Sequence, residues 1–175
     1  FFPPGGDILD LMSSWVSHLP PDVSYGRVVG LGMNMEELEA NPRLTERMVQ
    51  DLNHNPELPF EDASFDGAAI CVSIQYLTRP VEVLREVARV LRPGAPLVVT
   101  FSNRCFPTKA VMLWQRLDDE GHVTLVKHYL EEAGLVQVES SARLPRRWGS
   151  DPLYAVVGRA AGTNVATASS HSQGT

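Results

Sequence analysis

The hydrophobic residues of this chain fall into short runs separated by polar, proline-rich and glycine-rich segments. Runs rich in leucine, valine and isoleucine and bounded in this way are typical of β-strands. We predict seven strands, at Asp7–Leu11, Arg27–Leu31, Arg47–Leu52, Asp66–Ile74, Pro96–Phe101, Val136–Ser141 and Leu153–Arg159. The fourth run is almost continuously apolar, which indicates a strand buried on both faces of a parallel sheet.

Helical spacing of apolar residues occurs between these strands. It predicts helices at Trp15–Leu19, Met35–Ala40 and Pro80–Leu91, and a helical region over residues 109–133 with a break near Gly121. Alternating strands and helices favour an α/β fold with a doubly wound, mostly parallel sheet. The last two strands have no helix between them, so we expect them to form a terminal antiparallel pair.

The length and composition of the chain favour one soluble, globular domain. The chain has 175 residues, of which 43% are hydrophobic and 21% are charged, enough to bury a sizeable core. We assign residues 1–160 to this domain and predict a disordered tail at residues 161–175, where small and polar residues dominate. The chain begins at Phe1 rather than at a methionine, so we expect an N-terminal segment to precede it.

The net charge of −6 argues against nucleic acid as a partner. No apolar run approaches the ~20 residues of a membrane-spanning helix. Cys71 lies inside an apolar run and Cys105 is the other cysteine, which favours free thiols and a reducing compartment, either the cytoplasm or the interior of an organelle. The histidines do not have the spacing of metal ligands, so we expect no metal site.

Two motifs frame the fourth predicted strand. Leu58–Asp66 carries two acids in a short polar loop and ends in Phe-Asp, directly before the apolar run, and Leu91-Arg92-Pro93-Gly94 ends the helix that follows. This combination resembles class I S-adenosylmethionine-dependent methyltransferases, in particular methyltransferase type 11-like domains. The resemblance implies a Rossmann-like methyltransferase fold with a seven-stranded sheet, S-adenosyl-L-methionine as cofactor, and methyl transfer to a small molecule.

The resemblance also implies where the cofactor binds at the first strand. Asp10 matches the family's acid, which helps to hold the amino group of the cofactor and the loop after the strand. Met12, Ser14 and Val16 stand where the family has glycines that let the backbone turn under the cofactor. On this alignment Asp10, Met12 and Ser13 are cofactor-binding positions.

At the second strand, Gly32 stands where the family usually places an acid that binds the ribose hydroxyls. Asn34 or Glu36 is a candidate to reach the ribose instead, although Asn34 is equally suited to cap the following helix. Both roles for Asn34 stay open at this point, and Gly32 and Asn34 are kept as candidate site residues.

The remaining candidates follow the third and fourth strands. Asp51 and Leu52 match the family's pair at the adenine ring, where the carboxylate accepts a hydrogen bond from the amino group. Ser73 and Ile74 come at the carboxyl end of the fourth strand, which faces the crevice where open α/β sheets bind ligands.

Alternatives remain for the function. Gly30-Leu31-Gly32 begins like a dinucleotide-binding fingerprint with Asp51 about 20 residues on, but Met35 replaces its third glycine. A nicotinamide cofactor is therefore disfavoured. The sequence identifies no catalytic base. Two functions stay open: methyl transfer by positioning the reactants, and a non-catalytic binding or regulatory protein that has kept the scaffold but lost the cofactor.

Overall fold

The computed structural model describes residues 1–103, 105–106, 108–144 and 152–162. The elements in chain order are β1 (Asp7–Leu11), β2 (Arg27–Gly32), α1 (Met35–Ala40), β3 (Glu46–Val49), β4 (Gly67–Cys71), a 3₁₀ turn (Ile74–Tyr76), α2 (Pro80–Val90), β5 (Pro96–Ser102), α3 (Met112–Gln115), α4 (Asp119–Glu132), β6 (Val136–Leu144) and β7 (Leu153–Arg159). Residues 163–175 of the predicted tail lie outside the described residues.

The strands form one seven-stranded sheet in the order β3-β2-β1-β4-β5-β7-β6. Neighbouring strands from β3 to β5 are parallel, whereas β7 runs antiparallel to both β5 and β6. The predicted α/β fold with its terminal antiparallel pair is therefore confirmed. From β1 the strand order proceeds to β2 and β3 on one side, and from β4 it proceeds to β5 on the other, so a crevice opens at the carboxyl ends of these two parallel strands.

The core lies on both faces of the sheet. The larger cluster packs α2 and α4 against one face and includes Leu84, Val87 and Val126, all fully buried. A smaller cluster on Ile8 and Leu38 covers the other face. Among the described residues, no helix is both long and apolar enough to cross a membrane.

The predicted helix at Trp15–Leu19 is wrong, because β1 and β2 are joined without a helix. The side chain of Ser17 is buried and donates a hydrogen bond to Asp10, while Asn41 donates to the Ser14 carbonyl oxygen at 2.8 Å and to Ser17 Oγ at 3.1 Å. Side chains from other elements thus hold this segment in an irregular conformation through the Ser17 hydroxyl and the Ser14 carbonyl oxygen.

Other predicted boundaries also differ from the structure. β3 covers Glu46–Val49 rather than Arg47–Leu52, because the chain turns at residues 51–55. β4 ends at Cys71 rather than Ile74, because Val72 has a φ of 46° and leaves the extended conformation. The break expected near Gly121 lies before α4 instead, since Asp118 caps this helix by accepting the Gly121 N–H.

The motif before β4 has a structural role. The Arg89 guanidinium on α2 donates to the carbonyl oxygens of Leu58 and Phe60, and it pairs with Asp62 at 2.8 Å and Glu86 at 2.7 Å. These carboxylates raise the pKa of Arg89. One side chain therefore fixes the polar loop to the helix.

The motif after α2 is held to the start of β4 in a similar way. Asp66 accepts a hydrogen bond from the Asp7 backbone N–H at 2.8 Å and pairs with Arg92 at 2.6 Å. Burial would raise the pKa of Asp66, but this backbone hydrogen bond and Arg92 lower it overall. The two sequence motifs thus lock β1, β4 and α2 together.

Candidate functional site

Two adjoining cavities lie at the carboxyl ends of β1, β2 and β4. The apolar cavity, of about 240 Å³, is lined by Met12, Ser13, Ser14, Leu31, Gly32, Met33, Glu37, Gln50, Asp51, Leu52, Asn53, Ser73, Tyr76 and Leu77. The polar cavity, of about 230 Å³, is lined by Asp10, Met12, Ser13, Ser14, Val16, His18, Cys71, Val72 and Ser73. The residues common to both lists form a shared wall: Met12, Ser13, Ser14 and Ser73. The strand ends therefore create one crevice in two compartments.

The loop after β1 crosses directly over the end of β2. The backbone N–H of Ser13 donates to the Leu31 carbonyl oxygen at 2.9 Å. A side chain on Gly32 would overlap the Ser13 carbonyl oxygen. Gly32 is therefore required by the close approach of two backbone segments, and this explains why no acid stands at this position.

Backbone conformation is unusual at the ends of both central strands. Met12 has a φ of 57° and Val72 has a φ of 46°, values in the left-handed region that side chains disfavour. The backbone at position 12 thus makes the bend that glycines make in the resembled family, although the side chain is a methionine. Residues held in this region concentrate at ligand sites.

Asp10 is a buried carboxylate at the floor of the polar cavity. It is 3% exposed, and its Oδ2 accepts hydrogen bonds from the hydroxyls of Ser13 and Ser17. Burial raises the pKa of Asp10, and the two hydroxyls partly offset that effect. Asp10 therefore fixes the loop after β1 while presenting a carboxyl group at the edge of the cavity.

Glu37, which the sequence analysis did not single out, brings a carboxylate into the apolar cavity. The Ser14 hydroxyl donates to Glu37 Oε2 at 2.6 Å. The Asn34 Nδ2 lies 3.5 Å from Glu37 Oε1. The spacing Asn34-x-x-Glu37 is a helix-start signal in which the third residue of the helix reaches back toward its cap, and it would have placed Glu37 at the strand end.

The turn after β3 forms the opposite wall of the apolar cavity. Asp51 accepts a hydrogen bond from the Asn53 backbone N–H at 2.9 Å, and Leu52 is buried. The Asn53 side chain donates to the Tyr76 carbonyl oxygen at 2.9 Å and accepts from the Thr78 N–H at 2.8 Å. Asn53 therefore ties this turn to the segment after β4.

The structure separates the residues that the sequence proposed into three groups. Those that line the apolar cavity are Met12, Ser13, Gly32, Asp51, Leu52 and Ser73. Asp10 lines the polar cavity. Asn34 caps α1 by accepting the Glu36 backbone N–H at 3.0 Å, Ile74 is buried in the larger core cluster, and neither lines the two cavities.

Ser73 has an unsatisfied hydroxyl at the shared wall. The residue is 8% exposed, and its Oγ is buried without a hydrogen-bond partner among the described residues. A buried hydroxyl without a partner is costly and calls for an explanation. Because Ser73 lines both cavities, a ligand in the crevice would supply the missing partner.

Comparisons with known proteins relate this chain to methyltransferases. Residues 13–99 match a family model described as a methyltransferase domain. The chain is 38% identical over 77 residues to an uncharacterised 37.1 kDa protein in a Streptomyces fradiae transposon, and the matched region covers 42% of this chain and 22% of that protein. It is 32% identical over 104 residues to a demethylmenaquinone methyltransferase of Bacillus cereus, and the matched region covers 54% of this chain and 44% of that protein. The chain thus spans less than half the length of these relatives.

Among solved structures, the fold is similar to that in a complex of the Haloferax volcanii Trm112 methyltransferase activator with a protein described as a methyltransferase. The match has a TM-score of 0.66 at 19% identity and covers 90% of this chain and 83% of that chain. At this identity the likeness concerns the fold.

Proposed function

We propose that this chain, which belongs to the class I S-adenosylmethionine-dependent methyltransferase superfamily, binds S-adenosylmethionine in the crevice and transfers its methyl group to a small-molecule acceptor. One observation carries the proposal. Residues from four separate segments, chosen from the sequence alone, line a single cavity: Met12, Ser13, Gly32, Asp51, Leu52 and Ser73.

The residues present fit an adenosyl group. Leu31, Leu52 and Leu77 give the apolar cavity side chains that can pack against a purine ring. The carboxylate of Asp51 stands at one wall and that of Glu37 at another, which matches a ligand with an amino group at one end and hydroxyl groups at the other. The buried Ser73 hydroxyl adds a polar group in need of a partner.

Each residue then has a definite task. Asp51 accepts a hydrogen bond from the adenine amino group, and Leu52 packs against the ring. Asp10, at the floor of the polar cavity, holds the loop and offers a negative charge to the ammonium group of the methionine part.

When bound, S-adenosylmethionine supplies a methyl group on a positively charged sulfur, which becomes a neutral thioether as the acceptor's lone pair takes the methyl. The protein's contribution is to align acceptor and methyl group and to hold them together, which by itself accounts for large rate effects. The name of the demethylmenaquinone methyltransferase supports a small molecule as acceptor.

Isothermal titration of S-adenosylmethionine and S-adenosylhomocysteine into the protein tests binding. We expect a micromolar dissociation constant, equivalent to about 8 kcal/mol, weakened roughly tenfold in Asp51→Asn because one hydrogen bond to the ligand is lost. Asp22→Asn is the matched control, since Asp22 is an exposed loop aspartate outside both cavities. No heat and no thermal shift at millimolar ligand would reject the proposal. Formation of S-adenosylhomocysteine with a panel of hydroxyl, amine and enol acceptors then tests transfer.

A non-catalytic protein on the same scaffold is the second candidate. The observation that favours it is the shared wall, in which Met12 and Ser14 stand at glycine positions of the resembled family and separate the two cavities. A protein of this kind would bind neither compound in the titration, and Met12→Gly would restore binding by opening the wall.

A further inference from the structure

The end of β2 cannot carry the acid that would bind a ribose, because the backbone of the β1 loop occupies that space. Any side chain at Gly32 would overlap the Ser13 carbonyl oxygen, and the Ser13–Leu31 hydrogen bond fixes the two segments together. A carboxylate for this purpose therefore has to come from another element.

Glu37 is the carboxylate that reaches this wall of the apolar cavity. It projects from the first turn of α1 and lines the cavity together with Gly32 and Ser14. Its neighbour Glu36 lies on the same turn but is exposed and lines neither cavity. Glu36 and Glu37 carry the same charge in the same turn of α1, but of the two it is Glu37 that reaches the crevice.

The partners of Glu37 are of a kind that a ligand can replace. The Ser14 hydroxyl donates to Oε2 at 2.6 Å, and the Asn34 amide lies 3.5 Å from Oε1. Both oxygens of the carboxylate thus face hydrogen-bond donors, and one of these donors, the Ser14 hydroxyl, belongs to the wall of the cavity. Two adjacent hydroxyl groups of a sugar present the same pair of donors to the two oxygens of a carboxylate.

A second observation points to a ligand in the same cavity. Ser73 is more than nine-tenths buried, lines the apolar cavity, and has a hydroxyl without a partner among the described residues. The other carboxylate on this cavity, Asp51, lies on the turn after β3 rather than beside α1. The two carboxylates therefore stand at different walls of one cavity.

We propose that Glu37 is the residue that recognises the ribose of the ligand: its carboxylate exchanges the Ser14 hydroxyl for the 2′- and 3′-hydroxyls of an adenine nucleoside. This inference rests on the proposed function, because it identifies which residue of that site selects the sugar. Binding thereby releases the Ser14 hydroxyl from Glu37, while the hydrogen bond from Ser13 N–H to Leu31 still holds the β1 loop in place.

The test compares adenosine with 2′,3′-dideoxyadenosine in isothermal titrations, with S-adenosylhomocysteine as a third ligand. We expect the protein to prefer adenosine by about ten- to a hundredfold, as befits hydrogen bonds to a charged group. Glu37→Gln should lose most of this preference while its thermal unfolding stays near that of the parent. Glu36→Gln should keep it, because Glu36 is exposed and lines neither cavity.

Each other outcome is decisive. If Glu37→Gln keeps the preference, or Glu36→Gln loses it equally, the assignment of Glu37 is wrong. If S-adenosylhomocysteine binds but the two nucleosides bind alike, the inference fails and the proposed function stands. If adenosine binds with a preference that depends on Glu37 while S-adenosylhomocysteine does not bind, the inference stands and the proposed function fails.

Discussion

Replacing Gly32 by alanine should damage the site and the fold together, because the added methyl group has no room. It would overlap the carbonyl oxygen of Ser13, which is backbone and cannot rotate away. The β1 loop must therefore lift from the end of β2, and the hydrogen bond from Ser13 N–H to the Leu31 carbonyl oxygen at 2.9 Å is strained or lost.

The expected loss of folding free energy has two parts, the overlap of the added methyl group and the weakening of this hydrogen bond. Overpacking of this kind costs roughly 1–3 kcal/mol, and the hydrogen bond adds about 1 kcal/mol. For a domain of this size the combined loss lowers the melting temperature by roughly 5–15 °C. Because Ser13 and Ser14 belong to the shared wall of both cavities, affinity for S-adenosylhomocysteine should fall as well, by tenfold or more in the remaining folded protein.

Gly30→Ala is the matched control on the same strand. Its methyl group would overlap the end of the Leu44 side chain, which can change rotamer, and Leu44 lines neither cavity. Urea denaturation and isothermal titration of both variants separate the effects. We expect Gly30→Ala to lose about 1–2 kcal/mol of stability with unchanged affinity. Unchanged affinity in Gly32→Ala, or an equal loss in Gly30→Ala, would refute the role given to the β1 loop.

Three further changes test other parts of the structure. Asp66→Asn should remove a stabilising contribution that is present above about pH 4, the ordinary aspartate pKa. Because the Asp7 backbone N–H and Arg92 lower the pKa of Asp66 in the folded protein, the parent should lose this contribution as the pH falls through the lowered pKa. Urea denaturation of the variant should therefore show a flatter dependence of stability on pH, and a profile parallel to that of the parent would contradict this. Arg89→Met should lower the free energy of unfolding in urea by about 2 kcal/mol, since it removes hydrogen bonds to two carbonyl oxygens and two carboxylates. Arg89→Lys should recover little of this loss, because lysine lacks the planar guanidinium that donates to several acceptors at once. Full recovery in Arg89→Lys would show that charge alone matters. Asn53→Ala should weaken S-adenosylhomocysteine binding several-fold in titrations by untying the turn after β3 from Thr78; unaltered binding would mean that the turn holds its place without this link.

The sequence predicted best those features that depend on neighbours along the chain. The segment Leu58–Asp66 and the helix at Pro80 were found because their signals are local, and the structure adds that Arg89 joins them. The antiparallel pairing of the last two strands followed from the absence of a helix between them, a property that can also be read along the chain.

The predictions that failed depended on contacts between distant residues. Trp15–Leu19 was predicted as a helix, but Asp10 binds the Ser17 hydroxyl and Asn41 binds the Ser14 carbonyl oxygen just before it, so contacts from other elements hold this segment. Ile74 was assigned to the site by its position after β4, but the left-handed backbone at Val72 turns the chain and Ile74 enters the core. No local pattern shows where a residue points after such a turn.

The sequence predicted most of the candidate residues that line the crevice, but not all of the contacts that hold them there. Position in the sequence identified Asp51 and Ser73, both of which line the apolar cavity. It did not single out Glu37: the spacing from Asn34 places this residue at the start of α1, but the orientation of its side chain depends on Ser14, which is 23 residues away in the chain. The physical reason for Gly32 was also hidden, since it lies in the path of another loop rather than in the strand itself.

The left-handed backbone at Met12 also bears on protein engineering. The φ of 57° is imposed by the loop that Asp10 and Leu31 hold in place, and the methionine side chain does not favour it. Glycine at this position would relieve about 1–2 kcal/mol of conformational strain, against which the lost packing of a partly buried side chain must be set. A designer who wishes to reshape the crevice can therefore start at position 12, where the backbone already has the conformation that a smaller residue prefers.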